Sequence, residues 1–147
     1  MKKLSLLSLV TLFAVTFSFA QVREIPKAVE ETFTRQYPGA SDIEYKDKLV
    51  NVDVSFNLDG DHMVASYTNK GVWKESWKDW TYDKLPPSVQ DGFKKSKYAD
   101  REVDEVIVIY LPGGGEQYRL RARKNDVQKS YLYFNPRGRL LRTALTI

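Results

Sequence analysis

Cysteine is missing from all 147 residues. No disulfide can staple this chain, no thiolate can serve as a nucleophile, and cysteine-based zinc sites are excluded. Histidine occurs once, at His62. A Ser-His-Asp or Cys-His arrangement would have to use that one ring, and nothing in the sequence places a nucleophile beside it. Transition-metal sites that draw on several His or Cys ligands lack their donors. After the first twenty residues there is no apolar run near the ~18 residues that a membrane-spanning helix needs. Strong charge of one sign is absent too. The net charge is +4, and Lys2 and Lys3 supply two of those charges. Nucleic acid is therefore not an expected partner.

The first twenty residues read as an export leader. Lys2 and Lys3 precede the apolar run "LSLLSLVTLFAVTF", and Ser18 and Ala20 are small residues of the kind a signal peptidase requires. Cleavage is expected after Ala20. No cysteine follows it to carry a lipid anchor. The mature chain then begins at Gln21, has no further membrane span, and must hold its fold by its core alone.

Two stretches of the mature chain match each other. "IPKAVEETFTRQYP" runs from Ile25 to Pro38, and "LPPSVQDGFKKSKY" from Leu85 to Tyr98. Ile25, Val29, Phe33 and Tyr37 recur at i, i+4 spacing, as do Leu85, Val89 and Phe93, so each stretch carries one apolar helical stripe. Pro26 and Pro86 sit at the helix starts, where a missing N–H costs nothing. Strand signals follow each helix. In "LVNVDVSFNL" the residues Val50, Val52, Val54, Phe56 and Leu58 alternate with polar ones, as on a half-buried strand. "DGD", "NKG", "PGGGE", "KND" and "NPRG" are hairpin turn signals between further strands. The expected fold is α+β: a tandem duplication of a helix plus about four antiparallel strands, with both helices on one face of a shared sheet. The expected divisions are a leader at 1–20, a first repeat at 21–84 and a second at 85–147.

The helix "IPKAVEETFTRQYP", the strand "DIEYK", the turn with aromatic "YTNKGVW", the second helix start "LPPSV" and the closing "FNPRGRLL" resemble the secreted PepSY-like, beta-lactamase-inhibitor-like family of Bacteroidetes-type bacteria. The resemblance covers nearly the whole mature chain. It implies two tandem helix-plus-four-strand subdomains forming one sheet, and it brings no established catalytic residues.

Signals for other chemistry are thin. Asp59, Asp61 and His62 border a turn, but the acidic spacing of a calcium-binding EF-hand loop is missing. "PGGGE" lacks the Lys-Ser/Thr and the following helix of a phosphate loop, so it reads as a hairpin. Glu30–Glu31 and the group Glu102, Asp104, Glu105 have no sequence sign of the facing cleft that paired catalytic carboxylates need. The expectation is a chain that is not an enzyme and takes no cofactor and no metal.

Strand parity gives the candidate surface. "GVWKESWKDWTY" places Trp73, Trp77 and Trp80 within eight residues. A helix over Val72 to Lys84 would align all three, but the matching segment "RLLRTALTI" reads as a strand, so a strand is preferred here. A three-residue turn at Asn69–Gly71 pairs Tyr67 with Trp73 and Met63 with Trp77. Those residues then belong to the core, while Trp80 has opposite parity and joins Tyr82 at the junction of the repeats. The open face is expected to carry Lys74, Arg119, Arg121, Arg123, Tyr131 and Tyr133, together with Trp80 and Tyr82. Tyr, Trp and Arg are the residues that dominate protein-binding hot spots, although alternating Arg on a solvated strand is also ordinary. The expected function is an exported periplasmic or secreted module that binds an envelope protein or peptide through this face. The alternative is a small-ligand or glycan sensor with an aromatic site near Trp80 and Tyr82.

Overall fold

The computed structural model describes residues 24–146. The expected leader at 1–20 lies outside the described residues. Helix α1 spans Lys27–Gln36 and is followed by β1 Ser41–Asp47, β2 Asn51–Leu58, β3 Asp61–Thr68 and β4 Trp73–Trp80. A 3-10 turn at Tyr82–Lys84 and helix α2, Pro87–Lys94, lead to β5 Glu102–Leu111, β6 Gly115–Arg123, β7 Lys129–Phe134 and β8 Leu140–Thr146. All neighbouring strands pair antiparallel in chain order, β1 to β8.

The expected α+β tandem, with helices on one face of two joined repeats, is corrected by this arrangement. The protein is mostly β: one open, eight-stranded antiparallel sheet with two helices of only 10 and 8 residues. The physical reason lies at β4 and β5. Their ladder runs from Ser76 opposite Tyr110 to Trp80 opposite Val106. Backbone pairing is thus unbroken across the middle of the chain, and helices this short depend on the sheet for their stability.

Each helix forms where the sequence stripe places it. Pro26 caps α1, and Val29 and Phe33 are its buried residues. Phe33 is 0% exposed and meets Phe56 edge-on, with ring centroids 4.9 Å apart. Around them pack Val52, Val54, Met63, Ala65 and Tyr67. Full burial of one such aromatic contributes about 1.5–3 kcal/mol. In α2, Val89 and Phe93 pack with Val106, Val108, Leu120, Ala122, Leu132 and Phe134. Val50, expected on the inward side of β2, is instead 76% exposed, because β2 begins one residue later at Asn51.

Two hairpin turns press against the helix starts. Thr68 N–H bonds to Val72 O at 2.9 Å, and Asn135 N–H bonds to Arg139 O at 3.1 Å. Each turn closes through a glycine with positive φ, Gly71 or Gly138. A β-bulge follows each. Tyr67 pairs with Trp73 but Ser66 pairs with Glu75, leaving Lys74 as the extra residue. Phe134 pairs with Leu140 but Tyr133 pairs with Arg142, leaving Leu141.

The first bulge reverses the expected faces of the tryptophans. A bulge inserts one residue, and every later side chain then changes sides. Trp73 stays opposite Tyr67 and packs against the α1 cluster. Trp77, expected in the core with Met63, pairs with Val64 instead and points to the open face. Trp80, expected on the open face, pairs with Val106 and packs on the α2 cluster. Ser76, expected outward, is 0% exposed.

Candidate functional site

The open face is built from the residues that alternate with those two clusters. Across the sheet, Ser55 pairs with Val64, Val64 with Trp77, and Trp77 with Ile109. One row further along, Ile107 pairs with Arg119, Arg119 with Tyr133, and Tyr133 with Arg142. Then comes Glu105 with Arg121, and Arg121 with Tyr131. Ile107, Ile109 and Tyr133 form a small third cluster with Trp77, Leu111 and Tyr131 packed against it. The two isoleucines are only 4% and 5% exposed. Long neighbours shield them, since no helix belongs to their cluster among the described residues.

The three arginines of β6 are held by acids of β5. Arg119 Nη2 lies 2.9 Å from Glu105 Oε2. Arg121 bridges two carboxylates, with Nε 2.7 Å from Asp104 Oδ1 and Nη1 3.2 Å from Glu105 Oε1. Arg123 reaches Glu102 at 2.7 Å, Asp126 at 3.3 Å and Asp104 at 3.6 Å. The register shift between Val103 and Glu105 is what brings Asp104 and Glu105 together at one guanidinium. Tyrosine faces complete the fixation. Arg119 sits 4.7 Å over the Tyr131 ring, and Arg142 sits 3.4 Å over the Tyr133 ring. Arg142 has no acidic partner among the described residues. Arg119 and Arg121, partly desolvated and held by acids, present ordered charge rather than mobile charge, while Arg142 is exposed and rests on Tyr133.

The hydrogen bond from Arg121 holds the Asp104 carboxyl below its ordinary value, helped by the charges of Arg121 and Arg123. A depressed carboxylate gives its full stabilisation above the unfolded value near 3.8 and loses it as pH falls through the lower folded value. Asp104→Asn should therefore flatten the acid limb of a stability-versus-pH curve below about pH 4. Thermal melts of both proteins over that range check this. An unchanged acid limb would remove Asp104 from the account.

Trp77 divides two hollows on this face. One, of about 280 Å³, is lined by Glu44, Lys46, Lys48, Asp53, Ser55, Val64 and Trp77. The other, of about 140 Å³, is lined by Glu75, Trp77, Ile107, Ile109, Arg119, Tyr133 and Arg142. Both are half-open and below the usual size of a small-molecule site. A larger void of about 600 Å³ beside Glu30, Glu31, Thr34 and Arg35 is bounded only by the polar side of α1, and one convex helix face does not enclose a ligand.

The expected site residues separate into two groups. Arg119, Arg121, Tyr131 and Tyr133 share the open face with Trp77, and Arg123 extends their row at the edge of the ion-pair network. Lys74 lies in the bulge, exposed, with Nζ 3.4 Å from Asn51 Oδ1. Trp80 and Tyr82 lie elsewhere. Lys78 Nζ and Lys84 Nζ stand 4.8 and 5.5 Å over the Trp80 ring. The Trp80 indole N–H is buried without a hydrogen-bond partner among the described residues. Tyr82 packs edge-on against Phe93, with centroids 5.9 Å apart. The open-face residues that strand parity missed are Trp77, Ile107, Ile109 and Arg142. The unbroken apolar run "VIVIYL" signals a strand buried on both faces.

His62 is exposed on the same face, its Nε2 3.1 Å from Ser55 Oγ and its Nδ1 3.2 Å from Asn57 Oδ1. These are cross-strand polar contacts on an exposed ladder. Among the described residues no group of three or more His, Cys, Asp or Glu side chains is placed to hold a metal ion. No described helix is long and apolar enough to cross a membrane.

No family model matches the chain, and no curated protein matches it. Solved structures do. A DUF2874 family protein from Bacteroides ovatus superposes with a TM-score of 0.76 at 25% identity, covering 84% of this chain and 89% of that one. A BLIP-like protein from Bacteroides fragilis gives 0.76 at 22% identity over 85% and 89% of the two chains. A candidate periplasmic protein from Bacteroides eggerthii gives 0.74 at 24% identity over 84% and 90%. These likenesses show the fold. For the fold alone they agree with the inhibitor-like label of the sequence resemblance, and the names they carry are DUF2874 and BLIP-like rather than PepSY.

Proposed function

We propose that this chain is an exported, periplasmic, non-catalytic module that binds another envelope protein or a peptide through the open face of its sheet. The observation that carries this reading is Trp77. Its side chain stands between two hollows, over an apolar floor of Ile107, Ile109 and Tyr133, with Arg119 and Arg142 beside it. A central aromatic ringed by ordered charge is the composition of a protein-binding hot spot. Support for the location comes from the leader-like first twenty residues and from the periplasmic assignment of the Bacteroides eggerthii protein. The glycan-sensor alternative draws no support from Trp80, whose ring is already covered by two lysines.

The test is affinity capture from envelope extract, followed by titration of the captured partner against variants. Trp77→Ala should weaken binding by about 30-fold, which corresponds to ~2 kcal/mol for a hot-spot tryptophan. Melting must stay cooperative for the result to count. Unchanged affinity in both Trp77→Ala and Arg119→Ala would move the binding surface off this face.

A further inference from the structure

The two free edges of the sheet differ in charge. Edge strand β1, "SDIEYKD", carries Asp42, Glu44, Lys46 and Asp47, and its register breaks between Ser41 and Glu44. Asp42 also has φ 51. Charges, a bulge and a twisted backbone are the devices that stop one sheet edge from pairing with another. Edge strand β8, "LLRTALT", has a single charge, Arg142, and beyond its own bulge at Leu141 it pairs regularly with β7 from Arg142 to Thr146. It exposes two leucines, Leu141 at 43% and Leu145 at 76%, where β1 exposes the single isoleucine Ile43 at 44%.

We propose that β8 is a homodimer interface, on which a second copy of this chain pairs its own β8 antiparallel about a two-fold axis at Thr143. Several observations favour this occupant over an unrelated strand. Two-fold pairing keeps opposed residues on the same face, so the axis must pass between the two copies of one residue. Thr143 is the midpoint of Leu140–Thr146, so an axis there spans the strand evenly, with the bulge residue Leu141 near one end. It sets Leu141 opposite Leu145 of the second copy, so the two exposed leucines cover each other. It sets Arg142 opposite Ala144, so no like charges meet. An axis one residue earlier would oppose Arg142 to itself, which is destabilising. The flank of the strand also fits. A hollow of about 280 Å³ lies between Tyr98 and Lys97 on one side and Leu140, Leu141, Arg142 and Thr143 on the other. The second copy's Leu145, opposite Leu141, is placed to enter it. The product is a sheet continuous across the axis, with both Trp77 faces presented by one assembly.

The absence of cysteine makes the register directly testable. Opposed residues in an antiparallel pair have Cα atoms about 4.5–5.5 Å apart, within disulfide range. Under mild oxidation of the exported chain, Thr143→Cys should cross-link to itself, whereas Leu141→Cys and Leu145→Cys alone should not. Sedimentation gives an independent readout through sign. Ala144→Lys opposes Arg142 twice by symmetry and should raise the dimer dissociation constant about tenfold. Ala144→Glu should lower it. A monomer at every concentration, equal cross-linking at all three positions, or same-direction effects of the two Ala144 substitutions would overturn the proposal. Binding of the envelope partner is read separately through Trp77, so the dimer and the binding face fail or stand independently.

Discussion

Gly138→Ala should destabilise the protein by about 3 kcal/mol or more and lower its melting temperature by roughly 10 °C. Two costs combine at this position. The residue has φ +81, a conformation that L side chains adopt only with strain of order 1–3 kcal/mol. A Cβ added there would stand 2.0 Å from the Ser88 carbonyl oxygen and 2.6 Å from its carbon. That obstacle is backbone, held at the start of α2, and cannot turn aside. The same contact is fastened from the helix side, where Ser88 Oγ donates to Pro136 O at 2.6 Å. Gly60 provides the control. Its φ is +87 but nothing lies within 4 Å of an added Cβ, so Gly60→Ala carries the backbone cost alone, ~1 kcal/mol. Melting curves of the two variants separate conformation from contact. Equal losses would mean that the turn does not clamp α2 to the sheet.

That clamp was partly legible in the sequence and partly not. The glycines at the ends of "NKG" and "NPRG" mark tight turns, and the Pro-initiated stripes mark both helices. These are local rules, and Val29, Phe33, Val89 and Phe93 are the buried residues of their helices. Strand order within each half was legible too, as a meander of hairpins, but the β4–β5 pairing across α2 was not. The fold class is not legible this way, because periodicity reports that a helix exists, not how little of the structure it makes up. The side assignment failed at one residue. Lys74 in the bulge is a polar residue among polar residues, "KESWKD", and carries no signal that the strand takes an extra step there. Trp77 and Trp80 are three apart, so an alternating strand puts one on each face. Apolar pattern cannot decide which, because both environments accept an aromatic. Only the cross-strand partners decide it: Val64 and Ile109 for Trp77, Val106 for Trp80. The acids that hold the arginine row were visible as a cluster, but their role depends on a second register shift, at Asp104, which the sequence does not announce.

The other large expected effect lies at Ser76, where the same bulge has a consequence for stability. Ser76→Ala should cost about 2–3 kcal/mol, since it strands two donors at once. Tyr37 Oη donates to Ser76 Oγ at 2.7 Å, and Trp73 Nε1 donates to it at 2.8 Å. The Ser76 side chain is fully buried, so water has poor access to replace it. The network continues behind Tyr37: Gln36 Nε2 donates to Tyr37 Oη at 3.4 Å, and Tyr67 Oη donates to Gln36 Oε1 at 2.9 Å. Ser76 thereby ties the end of α1 to β4, and Gln36 beside it ties the helix to β3. Burial pushes the Tyr37 phenol above its usual value, so the bond persists across the neutral range with its proton in place. Tyr37→Phe removes one of the two donors in advance. In a double-mutant cycle the Ser76→Ala cost should then shrink by about 1 kcal/mol, the signature of a shared bond. Chemical denaturation of the four proteins measures that coupling. Strictly additive losses would show that Ser76 acts through packing alone. A loss below about 0.5 kcal/mol for Ser76→Ala would show that the buried donors find other acceptors.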